Sequence, residues 1–448
     1  MSKKVIIVLA SETGAKLDSD VYIGGGTDDT KILQRTLDKA VENAGIKLIM
    51  DGAALISGLK LHSNTEIECL NPDCGFYLVD NSNTSILRNA DLDFSEIRNK
   101  NIIVKGGTYN HNCRNQIHHY ISENEEIANI DGTRWVIGFE FYGVENLTIR
   151  DVILRDQRTF AMLIANWKYV DITNVRIDLP NHSDFQNQDG IHFWGPGQFL
   201  VMRNICGRSG DDFIALAPDE RDKTSSITDV LIDGVMLDNA DQGIRLLSRD
   251  KGRLDRVTIR NISGTYRSFG FYINSWFPDT SCGSFGNIVF ENIDLRTSKP
   301  NYDYRPPFLF QIGGKIESLT IRNIQSHLPS DDRVLFELSQ PFYDFNYKEA
   351  CTHIRSLVID GLHVLSDDLL SGPLIIIDCE IESFVLRNIE LDVPDNNENE
   401  TPMILTRDRC HVKRMRVSDC NFEGKGKFIE IPSGEIESIV LNNIEFKA

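Results

Sequence analysis

Ile259-Arg260-Asn261-Ile262, Phe290-Glu291-Asn292-Ile293 and Ile321-Arg322-Asn323-Ile324 state one short phrase: apolar, any residue, Asn, apolar. Upstream it occurs as Ile149-Arg150-Asp151-Val152, Ile172-Thr173-Asn174-Val175, Met202-Arg203-Asn204-Ile205 and Ile232-Asp233-Gly234-Val235. Downstream it returns as Ile359-Asp360-Gly361-Leu362, Leu386-Arg387-Asn388-Ile389, Val417-Ser418-Asp419-Cys420 and Leu441-Asn442-Asn443-Ile444. Measured between the first residues of successive phrases, the intervals from Ile149 to Phe290 are 23, 30, 30, 27 and 31 residues. A repeat of that length belongs to a solenoid.

Alternating apolar and β-branched residues make each phrase a strand, and its Asn, Asp or Gly supplies a turn residue that tolerates left-handed φ. No helix of useful length fits between the phrases, and the regular Leu lattice of a leucine-rich horseshoe is missing. A unit of short strands cannot bury its apolar face alone, whereas stacked coils share one core with about 4.8 Å between neighbouring strands. The fold expected is all-β, a single-stranded right-handed parallel β-helix. The Asn side chains should hydrogen-bond from coil to coil, which gives most of them a structural role.

Ahead of the repeats, Thr27-Asp28-Asp29-Thr30 leads into Ile32, Leu33, Leu37, Ala40, Val41 and Ala44, closed by Gly45. This spacing predicts a capped amphipathic helix over about residues 27–45, with Asp28 and Asp29 as N-terminal charges. Laid across the open end of a β-helix, it would shield a strand edge from pairing with another chain. The apolar run from Val5 to Ala10 is expected to be an edge strand. No linker rich in Pro, Gly or Ser divides the chain, so one domain is expected over residues 1–448, with coils over about 100–448. Residues 303–307, 340–349 and 395–401 are the expected exposed loops.

The chain has 448 residues, 41% hydrophobic and 25% charged, with 47 Lys and Arg against 66 Asp and Glu for a formal charge of −19. That composition is globular. The acidic balance argues against nucleic-acid and membrane partners, both of which need clustered cations. No run reaches the roughly 20 apolar residues that span a bilayer, and Val5–Ala10 is short for a secretory signal. Nine Cys without paired spacing suit reduced thiols, so a cytoplasmic location is expected. The oligomeric state, monomer or trimer, stays open.

Three acidic motifs follow in succession: Asn187-Gln188-Asp189-Gly190-Ile191-His192, Ser209-Gly210-Asp211-Asp212 and Asp241-Gln242-Gly243-Ile244-Arg245. Asp189 and Asp211 are 22 residues apart, one tight coil, which would set two carboxyls about 5 Å apart on adjacent strands. Asp-Gly and Gly-Asp are also ordinary turn dipeptides, and clustered Asp can hold calcium. Their repetition at one-coil spacing favours a catalytic site: carboxyls that repel one another leave an acid beside a base. This is the equipment for cleaving a glycosidic bond. All four Trp, Trp135, Trp167, Trp194 and Trp276, fall around these motifs, and Trp is a frequent platform for sugars.

In these motifs the sequence resembles glycoside hydrolase family 28, the polygalacturonases and related pectin hydrolases, whose fold is the pectin-lyase-like β-helix. The likeness runs from Gly25-Gly26-Thr27-Asp28-Asp29-Thr30 to about residue 275. Asn187-Gln188-Asp189-Gly190 matches the family's Asn-Thr-Asp-Gly, and Gly210-Asp211-Asp212 matches its Asp pair. The resemblance implies inverting hydrolysis, with Asp211 as general acid and Asp189 and Asp212 holding and activating the water, although carboxyls about 5 Å apart are the spacing of retaining enzymes. Two motifs depart. Gln242, within Asp241-Gln242-Gly243, stands where the family has the His of Gly-His-Gly. Tyr272 and Asn274 stand where it has the cations of Arg-Ile-Lys.

Those cations grip a galacturonate carboxylate, and a neutral group does not replace a bidentate Arg. The expected substrate is a plant-type oligosaccharide or polysaccharide other than plain polygalacturonate, attacked from its chain end. Asn187, His192, Trp194, Asp241, Gln242, Arg245, Tyr272 and Asn274 are the expected sugar contacts, and neither a metal nor an organic cofactor is called for. The competing readings are a lyase or intramolecular fructosyl transferase on the same fold, and a β-helix that binds carbohydrate without catalysis.

Overall fold

The computed structural model describes residues 4–117, 136–180, 187–249, 251–274, 283–298, 308–328, 334–339, 352–366, 372–392, 401–423 and 426–447. Trp135, Trp276 and the expected loops at 303–307, 340–349 and 395–400 lie outside them. The chain forms two compact units, Met1–Ile214 and Ala215–Ala448.

In the first unit, Val5–Leu9 pairs in parallel with Gly45–Met50, and parallel pairing then passes through Thr65–Cys69, Asn99–Lys105, Phe139–Arg150 and Met162–Asp178 to Ile191–Gly207. A second parallel stack runs through Ala53–Ile56, Gly75–Leu78, Thr108–Asn110 and Ile153–Arg155. The coils therefore begin at Val5 and not at about residue 100, where the sequence pattern sets them. These early strands are three to seven residues long, too short to display a clear alternation.

In the second unit one ladder of parallel pairs joins Ile227–Leu247, Leu254–Asn274, Ser284–Thr297, Lys315–Leu328, His353–Ser366, Glu380–Asp392, Met415–Glu423 and Ile439–Lys447. The first residues of the repeated phrase fall in one register: Ile232, Ile259, Phe290, Ile321, Ile359, Leu386, Val417 and Leu441. All but Leu441, in the last coil, are buried in the core. Beside them Phe271, Phe310 and Phe336 stack with ring centroids 4.5 and 5.1 Å apart.

Every turn residue of the phrase has positive φ, from Asp151 at 59° to Asn443 at 50°, with Gly at 234 and 361. The ladder expected from sequence is present: Asn292 donates to Asn261 at 3.0 Å and Asn323 to Asn292 at 3.1 Å. Where Gly interrupts the row, the preceding carboxylate accepts instead, Asp233 from Asn261 at 2.6 Å and Asp360 from Asn388 at 2.7 Å. A second ladder, hidden in the sequence because its coils share no common phrase, joins Asn146, Asn101 and Asn64. Beyond it the left-handed positions are held by Tyr169 and Phe199, whose exposed rings stack at 5.0 Å.

The expected N-terminal helix is Thr30–Leu37, followed by the short Lys39–Glu42. It buries Leu33, Thr36 and Leu37. Asp28, one residue ahead of the N-cap, accepts the Thr30 amide at 2.9 Å, whereas the N-cap residue Asp29 makes no side-chain capping bond. Asp29 turns the other way and ties down the preceding loop, accepting from Lys16 and Leu17 amides at 2.8 and 2.9 Å.

Candidate active site

The acidic motifs of the first unit lie on neighbouring coils because their backbones pair. Gly210 donates to the Gln188 carbonyl and Gly190 to the Asp212 carbonyl, each at 2.9 Å. On the other side Ala161 donates to the Asp189 carbonyl and Met162 to the Gly190 carbonyl, each at 3.0 Å. Three consecutive coils thus present residues 160–162, 188–190 and 210–212 side by side. The approach depends on Gly190, where a Cβ would lie 2.3 Å from the Phe213 carbonyl oxygen. Asn187 opens this segment, ahead of the strand Ile191–Gly207, in the left-handed conformation at φ 54°.

Asp189 and Asp212 are each 3% exposed, and Asp211 is half-buried. Ser209 fixes the turn before the pair by donating its hydroxyl to the Asp211 carbonyl at 2.7 Å. Two amides unforeseen from sequence brace the segment that carries Asp189. Gln188 donates to the Gln157 carbonyl at 2.9 Å, and Gln157 to the Asp189 carbonyl at 3.3 Å. Gln157 carries no motif, so no local signal marks it; only the coil stacking brings it here.

His192 lies against Asp189, with Nδ1 2.7 Å from the carboxylate Oδ2. Its ring stacks on Phe160 at 4.7 Å and 12°, and meets Trp194 edge-on at 6.1 Å. Trp194 is 1% exposed; it packs against Phe94 and Tyr142, and its carbonyl accepts from the indole of Trp167. Both indoles are core side chains of this unit.

The remaining expected contacts form a group within the second unit. Strand register sets Gln242 opposite Phe269, Arg245 opposite Tyr272 and Leu247 opposite Asn274. The Arg245 guanidinium stands 5.1 Å over the Tyr272 ring, a cation–π contact. Tyr272 is buried and stacks on Phe269 at 4.6 Å, and Asn274 is fully buried. Asp241 accepts from the Ser268 hydroxyl at 3.0 Å and faces Arg267 at 3.5 Å. Burial pushes its carboxyl upward, opposed by Arg267 and Ser268. Arg267 is fully buried, and it is a cation that motif matching missed: it lies three residues before Gly270, outside the positions where the resemblance places Arg and Lys.

Among the described residues no group of three or more His, Cys, Asp or Glu side chains is arranged to hold a metal ion. No helix among them is long and apolar enough to cross a membrane.

Residues 89–340, more than half of the chain, match the family model of glycosyl hydrolases family 28. The chain belongs to glycosyl hydrolase family 28. Its fold is that of a right-handed parallel β-helix of the pectin-lyase kind. Among solved structures, a hyperthermoactive exopolygalacturonase from Thermotoga maritima is similar at TM-score 0.54 and 13% identity, over 99% of this chain and 93% of that one. A tailspike protein of E. coli bacteriophage HK620, in complex with a pentasaccharide, is similar at TM-score 0.61 and 11% identity, over 94% of this chain and 77% of that one. These likenesses concern the fold. No curated protein matches the chain.

Proposed function

We propose that this family 28 member is a glycosidase that cleaves an oligosaccharide or polysaccharide by carboxylate acid–base catalysis, with Asp211 as general acid and Asp189 and Asp212 holding and activating the water. The observation that carries this reading is the pairing of residues 188–190 with 210–212 on adjacent coils. That pairing sets the three Asp residues on neighbouring coils, and in our reading one of their carboxyls donates a proton while another accepts one. We read the reaction as inverting and the attack as directed at the chain end. Because Tyr272 and Asn274 occupy the places of the family's cations, the substrate is a plant-type glycan other than plain polygalacturonate, met inside the cell as short chains.

The test compares wild type with Asp211→Asn on a panel of neutral and acidic oligosaccharides, reading new reducing ends and the ultraviolet absorbance of unsaturated uronates. The expected result is sugar release by the wild type, about 10²- to 10⁴-fold slower in the variant, as for loss of a general acid. Unsaturated products would make the protein a lyase instead. Binding without turnover, equal in both proteins, would make it a carbohydrate-binding β-helix.

A further inference from the structure

We infer that His192 is the positioning residue of Asp189: it holds that carboxylate as a proton acceptor of the site and leaves proton donation to Asp211. This division of labour rests on the hydrolase reading above. The geometry is local. Asp189 Oδ2 and His192 Nδ1 are 2.7 Å apart, with only 3% and 4% of the two residues exposed. A buried carboxylate is costly unless it is hydrogen-bonded, and an N–H donated to it favours its charged form. The ring cannot turn freely, because Phe160 lies nearly parallel to it at 12° and Trp194 meets it edge-on. Its orientation thus fixes which nitrogen carries the proton.

The backbone supports the same conclusion. The Asp189 carbonyl is held by Ala161 and by the Gln157 amide, so both its main chain and its carboxylate are fixed. In the reaction, Asp189 takes a proton from the attacking water as its oxygen bonds the anomeric carbon. The acid gives its proton to the departing glycosidic oxygen. One water is consumed, and the two protons balance.

The test begins with the imidazole itself. Nitrogen NMR on labelled protein near pH 8 should show His192 protonated at Nδ1, against the Nε2–H form that a free neutral imidazole prefers, and Asp189→Ala should abolish that bias. Two variants then separate the ring from the donor. His192→Phe keeps the stack on Phe160 but has no N–H, and should lower kcat about tenfold or more with little change in KM. His192→Asn places an amide N–H near Nδ1 and should restore most of that loss. A wild-type ring protonated at Nε2 would overturn the role of His192 alone. So would a Phe variant as active as wild type, or an Asn variant as impaired as Phe at equal melting temperature. Failure of the wild type to hydrolyse any glycan, with the Nδ1–H form intact, would overturn the hydrolase reading and the proton-acceptor role with it.

Discussion

Burial sets the behaviour of His111. It is 1% exposed, its Nε2 lies 3.0 Å from the Thr84 carbonyl and its Nδ1 accepts the Arg158 amide at 3.2 Å. The ring is therefore neutral, with its proton on Nε2. Desolvation pushes its pKa down to about 4 from 6.5, against the opposing pull of the Thr84 carbonyl and Asp156. Because the folded value is the lower one, the unfolded chain takes up the proton first as pH falls. Stability is complete above about 6.5 and declines as pH falls towards 4, by roughly 3 kcal/mol at most. Denaturant midpoints of His111→Gln should show a flatter decline across that window than wild type; parallel curves would refute the assignment. At this scale the sequence was legible for Asp189, Asp211 and Asp212, whose spacing is one coil. It was silent for Arg267, whose burial against Asp241 depends on a neighbouring strand.

The turn ladders show what an element gains from stacking. Asn292 sits at φ 58°, donates to Asn261 and accepts from Asn323. Asn292→Ala removes two exposed hydrogen bonds and leaves a Cβ residue in the left-handed region, together about 1–3 kcal/mol. Asn292→Gly relieves the backbone but restores no bond, so its denaturation midpoint should lie between Ala and wild type. If Gly proved no better than Ala, strain would not be part of the Asn preference. The sequence showed this ladder because Asn recurs at one point of one phrase. It did not show that Tyr169 and Phe199 take over the other row, since ring stacking leaves no fixed letter at that position.

Each coil touches only its neighbours, so damage to a solenoid should stay near its origin. Phe310 stands between Phe271 and Phe336 in the core of the second unit, and Phe310→Ala should cost about 3–5 kcal/mol. Hydrogen exchange should quicken most in the strands Leu254–Asn274 and Val334–Leu338, with the amides of Gly45–Met50 and Thr65–Cys69 in the first unit unchanged. Uniform loss of protection over both units would mean that the chain unfolds as one cooperative body.

The sequence by itself determined the parallel β-helix, the left-handed turn positions and the one-coil step from Asp189 to Asp211. All three follow from local chemistry: a two-residue alternation, a turn residue that accepts positive φ, and a repeat length. Only the tertiary structure decided that Asp189 is bonded to His192, that Gln157 braces the segment carrying Asp189, that Trp194 is core, and that coils begin at Val5. Those outcomes depend on what the adjacent coil brings within hydrogen-bonding or packing distance, and no single phrase encodes its neighbour.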